Sequence, residues 1–277
     1  MKQHLIALLF IACSCTFGTG SHPSDNRENS TKEQRGDTGN TGNADTATTQ
    51  DADATQVPQR IVHPERTCTP ADTAHLSATA LSMERQGMVN VHRADPTIEV
   101  SLMYSRPDNF TGRVLYDDLR EGYLHPKAIK ALTIAQQRLH ELRPDLSLII
   151  FDATRPMSIQ QKMWDVVKNT PKYFYVSNPA RGGGMHNYGM AVDISICRVN
   201  GDTIPMGATV DFMGDLSHID KEDLLVKNHR ISEEARANRQ LLRQVMAAGG
   251  FKPIRTEWWH FNLCSRDEAR RHYKVIK

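Results

Sequence analysis

His186-Asn-Tyr-Gly-Met-Ala-Val-Asp193, with Glu257-Trp-Trp-His260 further along the chain, decides how this sequence is read. The two stretches bring two imidazoles and two carboxylates into a setting dense in glycine and aromatic residues. Zinc in hydrolases commonly takes three protein ligands of the His, Asp or Glu type and keeps a fourth position for water. A carboxylate beside that water, not bound to the metal, then serves as general base. On this reading His186, Asp193 and His260 are candidate metal ligands and Glu257 is the candidate base. Taken singly, any of them is more often an ordinary surface or hydrogen-bonded residue. The combination carries the reading, because Gly182–Gly184 and Gly189 frame His186 where the backbone must approach closely.

The spacing from His186 to Asp193 is not the one-turn His-x-x-x-His step of a helical zinc site. The Trp-Trp-His-Phe core after Glu257 favours a strand. Residues three apart in a regular strand face opposite ways, so Glu257 is expected in a turn or bulge where the strand begins.

Working outward, Gly189–Cys197, Phe251–Ile254 and Trp258–Leu263 are strand candidates, and so is the apolar Leu146–Phe151 between Pro-Asp and Asp-Ala-Thr-Arg-Pro. An apolar stripe of Ala128, Ile129, Leu132, Ala135, Leu139 and Leu142 predicts a helix over Pro126–Arg143. Further helices are expected over Ser158–Lys168 and, as the last one, Ser232–Ala248 before Gly249-Gly250. Arg181–Gly184 reads as a mobile loop. Helices before and between strands, without regular strand–helix alternation, predict an α+β fold.

Residues 1–17 carry a lysine, a short apolar run and then small residues and cysteines, which reads as a secretory signal too short to span a bilayer. Cys13 or Cys15 stands where a lipoprotein signal places its lipidated cysteine. A cleaved signal with incidental cysteines is the alternative. Residues 18–60 are Ser, Thr, Asn, Asp, Gly and Gln with almost no large apolar side chains, so composition predicts a disordered tether. Residues 61–277 are then the folded domain, long enough for one well-buried core. A net charge of +2 and no basic stripe exclude nucleic acid as an expected partner and give membrane contact only through the anchor. Cys68, Cys197 and Cys264 remain. The latter two each fall four residues after a candidate ligand, so on neighbouring strands they could approach each other, with ordinary buried thiols the alternative.

The same motifs resemble a known family. His-x-x-Gly-x-Ala-x-Asp followed by Glu-Trp-Trp-His-Phe is similar to the zinc D-alanyl-D-alanine dipeptidases of the vancomycin-resistance type, within the wider group of D,D-carboxypeptidases, L-Ala-D-Glu peptidases and the Hedgehog signalling domain. Tyr104–Gly112, Phe151–Pro156, Met206-Gly207 with Asp211, Asn238–Leu242 and Gly250-Phe251 fall in the family's order, so the resemblance covers about residues 95–265. It implies a central, mainly antiparallel sheet with flanking helices and one zinc ion per chain held by His186, Asp193 and His260. Glu257 would deprotonate the attacking water, and Arg155 would stabilise the tetrahedral intermediate. That assignment suits a guanidinium, which keeps its charge and directs its donors, although an ion pair with Asp152 is the plainer role. Tyr104 and Asp211 match positions that bind the substrate's ammonium. Gly184 departs from the family's usual serine, so a hydrogen bond there must come from backbone or another group.

The expected activity is hydrolysis of D-Ala-D-Ala outside the cytoplasm. A D,D-carboxypeptidase or endopeptidase acting on muropeptides, a zinc-bearing domain without turnover, and an adhesion or structural protein are the rivals. Retention of both Glu257 and Arg155 speaks against a non-catalytic zinc domain.

Overall fold

Every residue of Leu146–Asp152 is buried, and so is all of Ala191–Arg198 except its last residue. Strands enclosed on both faces belong at the centre of a sheet, and the computed structural model, which describes residues 76–277, places them there. In chain order the elements are α1 (Ala78–Arg85), β1 (Val89–Asn90), α2 (Val91–Ala94), β2 (Glu99–Val100), β3 (Tyr123–Leu124), α3 (Pro126–Leu142), β4 (Leu146–Asp152), α4 (Met157–Val167) and β5 (Ala191–Arg198). They continue through α5 (Glu222–Lys227), α6 (Glu233–Ala248), β6 (Lys252–Ile254), β7 (Glu257–Asn262) and α7 (Arg266–His272). The main sheet has the order β2-β4-β5-β7-β6, with β2 and β4 parallel and every other pair antiparallel, and β1 and β3 form a separate small pair. The α+β expectation and the mainly antiparallel sheet both hold.

Local chemistry explains the principal helices. In α3, Pro126 opens the first turn and the buried face is Ala128, Ile129, Ala131, Leu132, Ala135, Gln136 and Leu139. Ser232 caps α6 by accepting from the Ala235 amide. Both helices belong to the environment of the sheet's main core, which includes Leu132, Ala135, Leu242, Val245 and Met246 beside Ile149, Ile194 and Phe261. Predicted and observed ends agree to within two residues for α3, β4, α4, β5, α6, β6 and β7. The expected last helix is not the last, since α7 follows β7. Cys13, Cys15, the 18–60 tether and Cys68 lie outside the described residues.

Register is what positions the site. Asp152 faces Asp193 across β4–β5, after a shift between Ile150 and Asp152, and Asp193 faces His260 across β5–β7. Three polar side chains therefore form one row across three adjacent strands. Pairing also shifts between Pro253 and Ile254, so Glu257 opens β7 opposite Ile254, beside the irregularity that its motif called for.

The proposed approach of Cys197 to Cys264 fails. Both are free thiols. In antiparallel strands, residues that follow two facing ligands run in opposite directions, so these cysteines lie at opposite ends of the sheet, roughly 25 Å apart along the strands.

Candidate active site

His186 sits in a single 3-10 turn, Met185–Tyr188, closed by Gly189 at φ 64°. A Cβ on Gly189 would stand 2.9 Å from the His125 amide nitrogen and 2.9 Å from Thr154 Oγ1, so both backbone conformation and space select glycine. The turn docks on the segment after β4. The Arg155 amide donates to His186 O at 3.0 Å, and Asn187 Nδ2 donates to Arg155 O at 2.8 Å. Arg181–Gly184, expected as a mobile loop, is tied down. Arg266 Nη2 donates to Gly183 O at 2.7 Å, Arg270 bonds Arg181 O, and the Gly184 amide donates to Asn187 Oδ1 at 2.8 Å.

His186, Asp193 and His260 converge. His186 Nε2 is 3.2 Å from His260 Nδ1 and 3.3 Å from Asp193 Oδ1, and His260 Nδ1 is 2.9 Å from Asp193 Oδ1. The outer nitrogens are already engaged, His186 Nδ1 donating to Ala153 O at 2.7 Å and His260 Nε2 to Asn262 Oδ1 at 3.0 Å. Three lone pairs therefore point at one another, an arrangement that a cation resolves. The separations match the edge of a tetrahedron with metal–ligand bonds of about 2.0–2.1 Å, which is about 3.3 Å. The partners behind each imidazole are those that orient metal-binding histidines. Burial alone would raise the Asp193 carboxyl, but His186 and His260 hold it well below the usual carboxylate range.

Glu257 stands at the edge of this cluster, its Oε2 4.0 Å from His260 Nδ1. Burial, with the Asp193 and Asp211 carboxylates nearby, pushes it up to about 7 despite the opposing influence of His260. A cation on the three donors would lower it from there and keep the carboxylate ionised, as a general base must be.

Arg155 makes the ion pair foreseen with Asp152: Nε and Nη2 reach Asp152 Oδ2 at 2.9 and 2.5 Å. Nη1 donates to Gln160 Oε1 at 2.9 Å, and the guanidinium carbon lies 5.2 Å from the Tyr104 ring centroid. Asp152 also accepts from the Tyr116 hydroxyl at 2.6 Å. Burial opposes the Arg155 charge, yet Asp152 and the other acidic groups around it keep its pKa above the ordinary value. The ion pair does not withdraw Arg155 from the site, since Nη2 is also 3.7 Å from Asp193 Oδ2. The sheet row aims the guanidinium at the metal cluster.

Asp211 and Tyr104 come together although 107 positions separate them, the Tyr104 hydroxyl lying 3.0 and 2.9 Å from the two Asp211 oxygens. Asp211 has φ 69°, a left-handed backbone that costs a non-glycine residue about 1–2 kcal/mol. Burial and the neighbouring Asp193 carboxylate push its carboxyl up to about 7.

All seven predicted residues line one cavity of about 380 Å³. Sequence reasoning did not single out Gln160, Tyr116 and Asn262, which orient Arg155, Asp152 and His260. It also passed over Ser177. A Cβ on Gly184 would lie 2.8 Å from Ser177 Oγ, so a hydroxyl from another segment crowds the place where the family's serine would stand. No local pattern marks these residues: Tyr116 reaches Asp152 across 36 positions, and the nearer pairs meet only through the turns and strand ends that the fold sets.

A family model for D-ala-D-ala dipeptidases matches residues 84–277. The D-alanyl-D-alanine dipeptidase of Escherichia coli (strain K12) is 34% identical over 172 residues, spanning 61% of this chain and 80% of its own length. That of Streptomyces coelicolor is 30% identical over 181 residues (58% and 83%), and that of Enterococcus faecalis 27% over 175 residues (58% and 83%). The match extends beyond the metal motifs to nearly the whole described fold, and the chain belongs to the D-Ala-D-Ala dipeptidase family.

Proposed function

We propose that this chain is a zinc dipeptidase that hydrolyses D-Ala-D-Ala to D-alanine. The observation that carries the reading is the presence, in one small cavity, of a three-donor cation site and a separate Tyr104–Asp211 carboxyl clamp. The clamp suits a free ammonium group, and a cavity of about 380 Å³ suits a short substrate. One zinc ion per chain, held by His186 Nε2, Asp193 Oδ1 and His260 Nδ1, would supply Lewis acidity and acidify the attacking water. Asp211, ionised by the approach of the substrate's ammonium, fixes the amino end. Glu257 takes a proton from the water as it attacks and returns it to the leaving amine. Arg155, held by Asp152 and Gln160, directs positive charge at the oxygen that becomes negative.

The test is turnover of D-Ala-D-Ala, L-Ala-L-Ala and a pentapeptide ending in D-Ala-D-Ala by the zinc-loaded protein, with Glu257→Ala as control. Release of D-alanine from the free D,D-dipeptide alone, abolished in the variant, supports the reading. Cleavage of the pentapeptide instead moves the protein to the carboxypeptidases and removes Asp211 from its role.

Residues 1–17 and 18–60 support an exported protein tethered through Cys13 or Cys15. In that compartment the enzyme would salvage D-alanine from wall turnover rather than intercept new precursor in the cytoplasm. Cell fractionation with and without globomycin tests this placement, and a cytosolic protein would end it.

A further inference from the structure

The motif Asn238-Arg-Gln-Leu-Leu242 has no part in the chemistry above, yet Arg239 is fully buried in the middle of α6. A buried guanidinium is rare unless its donors are used. Here Nε donates to Met206 O at 2.6 Å and Nη2 to Leu216 O at 2.8 Å. Its guanidinium carbon lies 5.4 Å from the Trp258 ring centroid, and Nη1 lies 3.6 Å from Glu222 Oε1. Glu222 is itself held by both Nη atoms of Arg243 at 2.7 and 2.6 Å. The preceding residue adds a third tie to the same segment, Asn238 Nδ2 donating to Pro205 O at 2.8 Å.

These bonds bracket one segment. Residues 205–216 include no strand or α-helix, and their middle holds Asp211 in its left-handed conformation, with Met213 also facing the cavity. A strained residue keeps its place only where its surroundings over-determine it. Arg239 grips the carbonyls on both sides of Asp211, while its flat face packs on Trp258, the residue after Glu257. One guanidinium thus stands behind both the amine clamp and the strand that carries the base.

We propose that Arg239 is a positioning residue for substrate recognition, holding Asp211 where a free amino terminus meets it. This inference rests on the dipeptidase reading above. Lysine at this position keeps the charge but cannot span the two carbonyls, because its donors radiate from a single nitrogen.

The experiment compares wild type, Arg239→Lys and Asn238→Ala as full-length, zinc-loaded proteins on D-Ala-D-Ala and on its N-acetylated form, with zinc content measured alongside. Arg239→Lys is expected to raise KM by about tenfold or more while kcat stays within about threefold. It should also narrow the preference for the free amine, with zinc content unchanged. Asn238→Ala should shift KM the same way by about two- to fivefold, and it decides the matter if Arg239→Lys does not fold. A purely structural defect would lower the active fraction, and so kcat, with KM and amine preference unchanged. That result, or unchanged kinetics in both variants beside an active wild type, overturns this inference alone. A wild type that turns over no dipeptide overturns the dipeptidase reading and this inference with it.

Discussion

The two halves of the site are built differently. Asp193 and His260 project from paired central strands, facing each other in register, with Asp152 in the same row. Asp211 stands instead on an irregular segment, in a left-handed conformation, held from behind by Arg239. Strand pairing fixes two of the three metal donors, Asp193 and His260, through backbone bonds that side-chain changes leave intact. His186 joins them from its 3-10 turn. The amine clamp depends on side chains reaching back to main-chain carbonyls, so its geometry is open to adjustment by substitutions well outside the cavity. A sheet suits donors that must meet at about 3.3 Å, and a braced loop suits contacts that set substrate choice.

The largest effect is expected on the sheet side. Asp193→Ala or His260→Ala removes one of three donors and should lower kcat/KM by more than about 100-fold, beyond the cost of losing an outer partner. Zinc bound per chain after dialysis checks this together with turnover. A full complement of zinc in both variants would refute the assigned donor set and remove the contrast.

On the loop side, Asp211→Asn should raise KM by about 10- to 100-fold while leaving zinc in place. Without a metal, burial raises Asp211 and Glu257 to about 7, and both must be ionised for turnover. A bound cation lowers both, so the acid limb of log kcat/KM should lie below neutrality, steeper in the wild type than in Asp211→Asn, which lacks one of the two ionising groups. Stability should move the other way. A carboxyl whose folded pKa lies above its unfolded value costs nothing below about pH 4, and its cost develops fully as pH rises through 7. At pH 8 the zinc-free Asp211→Asn variant should melt a few degrees higher than wild type, a gain on the order of 1–2 kcal/mol. A lower melting temperature would show that the carboxylate supports the loop rather than straining it.

The smallest effect is expected at the start of the His186 turn. Gly184 has φ −111°, open to any residue, but an added Cβ would lie 2.8 Å from Ser177 Oγ and 3.2 Å from Ser177 Cβ. Gly184→Ala should cost about 1 kcal/mol, measured by thermal or denaturant unfolding. Adding Ser177→Gly should restore most of it. Equal losses in the single and double variants would mean that the two segments are not in contact.

Much of this was legible locally. The apolar stripe of α3, the largely apolar run of β4 and the Ser232 cap are signals confined to a few turns of chain, and their elements lie where those signals put them. The two-residue strands β1, β2 and β3 are too short to show a period. In α7 the sequence Arg-Asp-Glu-Ala-Arg-Arg-His buries only Ala269, so no apolar stripe announces the helix. Arg239 looked like any charged residue on an amphipathic helix.

The sequence by itself determined which residue types are available for metal binding, proton transfer and charge stabilisation, because those capacities belong to single side chains. It also determined the alternation along each strand, a property of the local backbone. Tertiary structure alone decided the register that aligns Asp152, Asp193 and His260 and sends Cys197 and Cys264 to opposite ends of the sheet. It alone brought Tyr104 to Asp211 and set Arg239 behind the loop. Register and loop placement arise from hydrogen bonds between segments distant in the chain, and a one-residue slip would preserve every local pattern while dispersing the site.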